Sequence, residues 1–318
     1  MNKLLSIALA ASLATVATVA TANVSKDLAY PSGALTSADD IIAQNYFVNH
    51  FFSFDNMGIG KSGGDITSMI LRPKGADPLT LTLERMLNNK PTGDGVNAQD
   101  LAIFRSGKLK GTGMLITDFV DAGKSQTYEI FIPSIRKVRR FAEPARDDSW
   151  GGSDFTFGDV TLRKPGHETH SLKGTETIKG CLGMMADVKR NKYTQNNKLE
   201  AVCYNDGKEV YIVESTPKDS SWWYDKRVSY IDTTSFADHR TEYFKGGKKI
   251  KNIDRSWISA GLADKRASYW GYWYGKTEAT GHETLAFIPS TVTKVNHSYA
   301  KKDLWSTSTL RKMPKNIK

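Results

Sequence analysis

The sequence of 318 residues has only two cysteines, six histidines and ten prolines. Two cysteines exclude a small scaffold held together by many disulfides. After residue 22 no apolar run approaches the length of a membrane-spanning helix, so we expect no further spanning segment. Hydrophobic residues make up 39% and charged residues 25% of the chain, which excludes wholesale disorder. The length allows one large domain or two small ones, and the hydrophobic core can therefore be sizeable.

The first 22 residues have the pattern of a secretory signal. Lys3 gives the positive start, an apolar run follows from Leu4 to Ala20, and Ala20-Thr21-Ala22 ends it with small residues. This pattern predicts cleavage after Ala22, although a retained membrane anchor is the alternative. We therefore expect residues 1–22 to be a signal peptide and residues 23–318 to form one soluble periplasmic domain.

The chain is basic, with 44 Lys and Arg against 34 Asp and Glu and a formal charge of +10. Removal of Lys3 with the signal would leave +9. Such a balance often indicates nucleic acid binding, but export argues against that partner. Anionic membrane surfaces or lipid head groups are the counter-charges we expect in the periplasm.

Cys181 and Cys203 would meet an oxidising compartment. A hairpin could bring them together in a disulfide, and two separate buried thiols are the alternative.

The pattern along the chain predicts one N-terminal helix and many strands. Ser37 followed by Asp39 and Asp40 is typical of a helix start. Short β-rich runs follow, at residues 79–83, 113–119, 128–132, 208–214, 228–232, 266–276 and 285–295. Because no regular helices separate these runs, we expect an antiparallel sheet. Several strands are apolar on both faces, which indicates a two-sided core or an apolar cavity.

The candidate catalytic and metal-binding motifs in the sequence are incomplete. Gly58 to Gly63 has dinucleotide-binding spacing but no preceding βαβ strand. His167 and His170 are three positions apart, not the four that a helical zinc motif needs. There is no Gly-x-Ser-x-Gly sequence. We predict no catalytic residue, no metal site and no cofactor.

The segment Ile130 to Asp159 combines basic and aromatic residues with a loop. Asp154 and Asp159 could form ion pairs with Arg139, Arg140 or Arg146 inside the fold. The alternative is that the arginines bind an anionic head group at the mouth of a cavity, since the guanidinium fork bonds two oxygens at once.

Several motifs in a fixed order resemble the outer-membrane lipoprotein-sorting proteins, the LolA-like periplasmic carriers, in their longer form. They lie between about Ser37 and Met313. They are Lys110-Gly111-Thr112-Gly113-Met114-Leu115, Phe131-Ile132-Pro133 through Val138-Arg139-Arg140, Gly152-Ser153-Asp154-Phe155 with Asp159, Tyr230-Ile231-Asp232, Glu242-Tyr243-Phe244 with Gly247-Lys248, Gly281-His282-Glu283-Thr284 and Leu304-Trp305-Ser306-Thr307.

The resemblance implies a mainly β fold: a curved, unclosed antiparallel sheet, or half-barrel, with helices covering its concave face and acyl chains bound between them. It also implies a carrier that does no chemistry. Its expected cargo is a lipid, lipoprotein acyl chains or another hydrophobic molecule. Its expected partners are an inner-membrane exporter of the resistance-nodulation-division type and, transiently, a membrane. We expect a monomer.

Candidate ligand-binding residues at the cavity or its mouth are Met114, Phe131, Arg139, Arg140, Trp150, Asp154, Phe155, Trp270 and Trp273. Two alternatives remain open: a lipid-responsive regulatory sensor of the same fold, and an exported hydrolase.

Overall fold

The computed structural model describes residues 24–121, 123–183, 203–297 and 304–312. The predicted signal, residues 1–22, lies outside them. The helices are α1 (Ala38–Asn49) and α2 (Thr307–Lys312). The strands are β1 (Asn56–Ile59), β2 (Lys61–Ser62), β3 (Asp65–Arg72), β4 (Leu79–Asn88), β5 (Val96–Phe104), β6 (Gly113–Phe119), β7 (Thr127–Ile132), β8 (Lys137–Phe141), β9 (Glu168–Thr177), β10 (Glu209–Pro217), β11 (Lys226–Asp232), β12 (Asp238–Lys245), β13 (Lys248–Ser259), β14 (Ser268–Thr277), β15 (His282–Phe287) and β16 (Thr293–Val295).

The main strands form one antiparallel sheet in the order β8-β7-β6-β5-β4-β3-β15-β14-β13-β12-β11-β10-β9. Consecutive strands are mostly neighbours, and the long-range join is between β15 and β3, where Leu285 pairs with Ile70. Within the described residues β8 and β9 do not pair with each other, so the sheet is not closed into a barrel. The predicted fold class, a mainly β protein with an unclosed antiparallel sheet, is confirmed.

Helix α1 begins where the sequence predicts. The Ser37 side chain accepts a hydrogen bond from the backbone N–H of Asp40 at 3.3 Å, which caps the helix. Ile41 and Ile42 pack against Tyr211 and Val213 of β10. The helix therefore covers the part of the sheet near the β9 edge.

The two faces of the sheet carry different cores. We call the face that carries Leu83 and Trp273 the inner face; it is covered by α1 and by residues 149–162. The outer face carries a smaller cluster built around Leu101 and Phe131. Leu310 of α2 is fully buried in that outer cluster. Strand alternation explains the separation, because successive side chains point to opposite faces.

Most predicted strands are present, and one is interrupted. The run at 285–295 splits into β15 and β16, separated by a 3₁₀ turn at Ser290–Val292. Pro289 fixes the backbone at the start of that turn and has no N–H for the ladder. Cys181 and Cys203 form a disulfide across 22 positions of sequence.

Candidate ligand cavity

An apolar cavity of about 60 Å³ lies on the inner face, beneath the loop that follows β8. Its floor comes from β3, β4, β14 and β15, and its cover comes from residues 150–160. The lining residues are Ile59, Thr67, Met69, Leu83, Arg85, Trp150, Phe155, Val160, Trp270, Trp273, Ala286 and Ile288. Four of the predicted ligand-binding residues, Trp150, Phe155, Trp270 and Trp273, are therefore together in one cavity wall.

A β-bulge places both β14 tryptophans on the inner face. Residues three apart on a regular strand point to opposite faces. Here Trp257 pairs with Trp270 while Ser256 pairs with Tyr272, so Gly271 is an extra residue and the alternation shifts by one. The rings of Trp270 and Trp273 then meet edge to face, with centroids 4.8 Å apart.

The loop that covers the cavity is held by its own backbone. Trp150 donates an N–H to the carbonyl of Phe155 at 2.8 Å, and Gly151 and Gly152 turn the chain with φ of +64° and +81°. The Phe155 ring meets Trp273 edge to face at 5.2 Å. On the strand below, a β-carbon at Gly275 would stand 2.8 Å from a ring carbon of Phe155, so only glycine allows this close approach.

Asp154 binds polar groups of the sheet instead of the predicted arginines. Its carboxylate accepts hydrogen bonds from Thr277 at 2.5 Å and Thr284 at 2.7 Å, and it meets Nδ1 of His282 at 2.7 Å. It is buried, with 6% of its surface exposed. Asp154 therefore fastens the covering loop to the ends of β14 and β15, and the predicted ion pair with Arg139 or Arg140 is wrong.

Four predicted ligand-binding residues lie away from the cavity. Arg139 and Arg140 are exposed on the edge strand β8. Phe131 lies in the outer cluster under α2. Met114 lies on β6, paired with Ala102 and Ile130, outside the cavity lining. The remaining arginine of the prediction, Arg146, places its guanidinium 5.3 Å from the ring centre of Trp222.

A second cavity, polar and about 50 Å³, lies between α1 and the inner face of β9 to β13. Its charged lining residues are Asp159, Arg163, Lys164, Glu168, Arg227, Asp238 and Arg255. Nearly all of these charges are paired. Arg227 donates to both carboxylate oxygens of Glu168, at 2.7 to 3.2 Å. Arg255 donates to Asp238 at 2.6 Å, and its Nε has no partner among the described residues.

Asp159 forms ion pairs with Lys251 and Arg163, which the sequence did not single out, and binds Tyr243 of a predicted motif. Lys251 donates to it at 2.5 Å, Arg163 lies 3.6 Å away, and the hydroxyl of Tyr243 donates to its other oxygen. Burial alone would raise the pKa of the Asp159 carboxyl, but the charges of Lys251 and Arg163 outweigh it and hold this pKa below its ordinary value. The carboxylate is therefore charged throughout the neutral range.

The pKa of Glu168 is likewise set by burial and by neighbouring charges that act in opposite directions. Burial favours the neutral carboxyl, yet the charge and hydrogen bonds of Arg227 lower the pKa of Glu168 to about 2. The hydroxyl of Tyr224 donates a further hydrogen bond at 2.8 Å. This pair links β9 to β11 across the intervening β10.

A third cavity of about 50 Å³ continues along α1 toward β4 and β5. His50 borders it and the polar cavity, and burial lowers the pKa of His50 to about 4, so the ring is neutral at physiological pH. Val160 lines all three cavities. The short turn Gly158–Leu162 that carries Val160 therefore lies where the three cavities meet.

The charged half of this site was missed because each residue looks ordinary in sequence. A usable signal exists on β13, where Lys251, Ile253 and Arg255 occupy alternate positions and so share one face. Charged residues at the inward positions of an otherwise apolar strand indicate buried ion pairs. Among the described residues no group of three or more His, Cys, Asp or Glu side chains is arranged to hold a metal ion.

The fold resembles solved structures over nearly their whole length. An outer membrane lipoprotein-sorting protein domain from Vibrio parahaemolyticus matches at a TM-score of 0.62 and 14% identity, covering 86% of this chain and 98% of that one. A DUF1329 family protein from Desulfovibrio piger gives the same TM-score, identity and coverage. A LolA superfamily protein from Nitrosomonas europaea matches at 0.52 and 12%, with the same coverage. The LolA-like resemblance inferred from the motifs is thus confirmed for the fold.

A family model described as that of an uncharacterized protein matches residues 97–260, slightly more than half of the chain. The chain belongs to that family. The comparison with curated proteins gave no match. None of the helices in the described part of the chain has both the length and the apolar character to span a membrane.

Proposed function

We propose that this protein is a periplasmic carrier. It binds the apolar part of a lipid, the acyl chains of a lipoprotein or another hydrophobic molecule, and it transfers this cargo between membrane partners without chemical change. The observation that carries the proposal is the apolar cavity walled by Trp150, Phe155, Trp270 and Trp273 on the inner face. The lipoprotein-sorting and LolA structures of the same fold support it.

The chemistry of the cavity suits a reversible carrier. Each methylene of an acyl chain moved from water into such a space contributes roughly 0.8 kcal/mol. The edge-to-face aromatic walls offer a large apolar area with few polar contacts, so they would hold different chains with similar affinity. A few buried methylenes give moderate affinity, which leaves cargo release possible.

The cavity must enlarge to take a whole chain. Its volume of about 60 Å³ is the space of a few water molecules. Displacement of the turn Gly158–Leu162 would remove Val160 from the meeting point of the three cavities and join them. In the joined space the acyl chain would lie against the tryptophans, and the polar end of the cargo would lie near Arg255 and Arg227.

The partners follow from the same proposal. We expect a monomer that receives cargo from an inner-membrane exporter of the resistance-nodulation-division type and that makes transient contact with a membrane. The net positive charge fits anionic lipid partners better than nucleic acid in an exported protein.

The first test is native mass spectrometry of the protein purified from its own periplasm, followed by lipid extraction. The proposal predicts a co-purifying acylated species. A ligand-free protein that also fails to take up a fluorescent fatty acid would contradict it.

A second test fills the cavity. Ala286 lines it and is 8% exposed, so Ala286→Leu places three extra carbons in the space. Uptake of the fluorescent fatty acid should fall at least tenfold. Ala263→Leu makes the same change on an exposed loop and should leave uptake unchanged. Urea unfolding of both variants separates lost binding from lost stability, and equal uptake by both folded variants would exclude this cavity as the site.

A further inference from the structure

One end of strands β3 to β8 carries a group of exposed positive charges. In an antiparallel sheet successive hairpins lie alternately at the two ends of the strands. Three hairpin tips, residues 73–78, 105–112 and 133–136, lie at the same end of the neighbouring strands β3 to β8. We call these three tips, together with Lys137 and the last turn of α2, the basic rim.

Direct contacts hold the parts of the basic rim side by side. Arg105 donates its N–H to the carbonyl of Thr82 at 2.7 Å, which joins the second tip to the start of β4. A β-carbon at Gly111 would stand 3.2 Å from Pro133, so the second and third tips touch. Leu310 packs on the start of β6, which brings the end of α2 to the same place.

The cations of the basic rim are exposed and have no ion pair with any described residue. They are Lys74, Lys108, Lys110, Arg136, Lys137, Arg311 and Lys312. Arg105 is paired with Glu84 and does not count among them. In the same residues the sequence has one acid, Asp77. Like charges held this close repel one another, so the cluster raises the free energy of the folded protein unless an anionic partner offsets it.

The opposite end of the same strands is electrically balanced. Its tip at residues 89–95 carries Lys90 and Asp94, and the next tip carries Asp121 and Lys124. Lys90 forms an ion pair with Asp55 at 2.7 Å. The excess of unpaired positive charge is therefore found at one end of these strands, and the net positive charge of the protein does not by itself account for it.

Apolar side chains stand exposed among these cations. Ile135 is 47% exposed at the third tip, and Leu79 is 46% exposed beside the first. Lysine on an edge strand commonly prevents two sheets from pairing, which accounts for Lys137 on β8. That explanation does not extend to the tips of interior strands, nor to an exposed isoleucine. Cations surrounding apolar side chains are typical of surfaces that lie on an anionic bilayer.

We propose that the basic rim docks the protein on anionic phospholipid head groups, with Ile135 entering the interface. The inference adds a membrane-facing surface to the proposed carrier. It does not depend on what the cavity holds, because docking can be measured without cargo. A surface lysine or arginine contributes about 1 kcal/mol on an anionic membrane, which is about fivefold in affinity.

The test measures sedimentation of the purified protein with vesicles of phosphatidylcholine, with and without the anionic lipid phosphatidylglycerol. We expect binding to the anionic vesicles alone, and loss of that binding at high salt. The variant Lys108→Gln/Lys110→Gln/Arg136→Gln should bind about 100-fold more weakly, since three contributions multiply. Ile135→Ser should weaken binding without any change in charge.

The control variant, Lys90→Gln/Lys124→Gln/Lys265→Gln, removes three exposed cations outside the basic rim and has the same net charge as the rim variant. Lys90 and Lys124 lie at the opposite tips, and Lys265 lies in the loop between β13 and β14. The control variant should bind within about threefold of the unaltered protein, the residual effect of long-range charge. Equal losses of vesicle binding in both variants would show that net charge alone is responsible and would contradict the proposal. If the unaltered protein does not bind anionic vesicles, the proposal is overturned in favour of an acidic protein partner. Fatty-acid uptake without vesicles, measured on the same variants, reports on the cavity and should not change.

Discussion

The buried pair of Glu168 and Arg227 allows a quantitative test of the inner face. Their side chains are 0% and 6% exposed, and Arg227 makes three hydrogen bonds to the carboxylate. Removal of one partner leaves the other charge buried, which costs about 3–5 kcal/mol. Against a total stability of about 5–15 kcal/mol, either Arg227→Met or Glu168→Gln should lower the urea midpoint sharply.

The double variant should cost much less than the sum of the single variants. With Glu168→Gln and Arg227→Met together no buried charge is left without a partner, so the cycle should give a coupling energy of about 2 kcal/mol or more. The partly exposed pair of Glu242 and Lys249, 3.2 Å apart and 18% and 42% exposed, is the control. Its coupling should stay below about 1 kcal/mol.

The pH dependence of the unfolding free energy provides a second, independent test of this pair. The folded-state pKa of Glu168 is about 2, below its ordinary value. The stability from the pair is therefore fully present above the unfolded pKa of about 4.3 and is lost as the pH falls toward 2. The cost of Arg227→Met should shrink over the same interval. Additive single variants, or a cost that does not change between pH 7 and pH 3, would refute the reasoning.

Three further predictions concern other parts of the fold. Gly275→Ala should destabilise the protein by about 1–3 kcal/mol and weaken fatty-acid binding, because its β-carbon would stand 2.8 Å from the ring of Phe155; unfolding and uptake assays measure both. Burial lowers the pKa of His50 to about 4, so the neutral ring contributes up to about 3 kcal/mol of stability above pH 6.5, and this contribution is lost as the pH falls through 4. His50→Gln should therefore flatten the plot of unfolding free energy against pH in this range. An unchanged plot would show that another group causes the pH dependence. Reduction of the disulfide between Cys181 and Cys203 should lower the free energy of unfolding by about 3 kcal/mol, seen as a lower melting temperature with a thiol reductant; superimposable melting curves would contradict this.

The strands were predictable because their signal is local. Apolar residues at every second position mark a sheet face, and the absence of intervening helices leaves antiparallel pairing as the simplest arrangement. The run at 113–119 coincides with β6. The Ser37 cap likewise needs only four consecutive residues to be recognised.

The cavity was predictable only in part, because its geometry depends on register. Trp270 and Trp273 share a face through the extra residue Gly271, and a bulge has no reliable mark in one sequence. Without the bulge the spacing of three would have separated the two rings. The sequence thus supplies the aromatic residues, while strand pairing decides which of them meet.

The partner of Asp154 could not be predicted from charge. Opposite sign favoured Arg139 and Arg140, which lie on the edge strand β8. The observed partner, His282, is 128 positions away and begins β15. Contacts between residues this far apart in sequence depend on the pairing of β15 with β3. This pairing joins the two halves of the sheet and has no signature in local composition.

The ionic half of the inner face explains how the apolar half is shaped. Buried ion pairs add little net stability, because the loss of hydration offsets the attraction between the charges. They do fix position, since a displaced partner leaves an unpaired charge. Asp159 is held by Lys251 and Arg163, and the next residue is Val160, which stands where the three cavities meet. The charges therefore determine where one apolar side chain divides the space above the sheet, and a change at those charges would alter the size of the cavity that the tryptophans line.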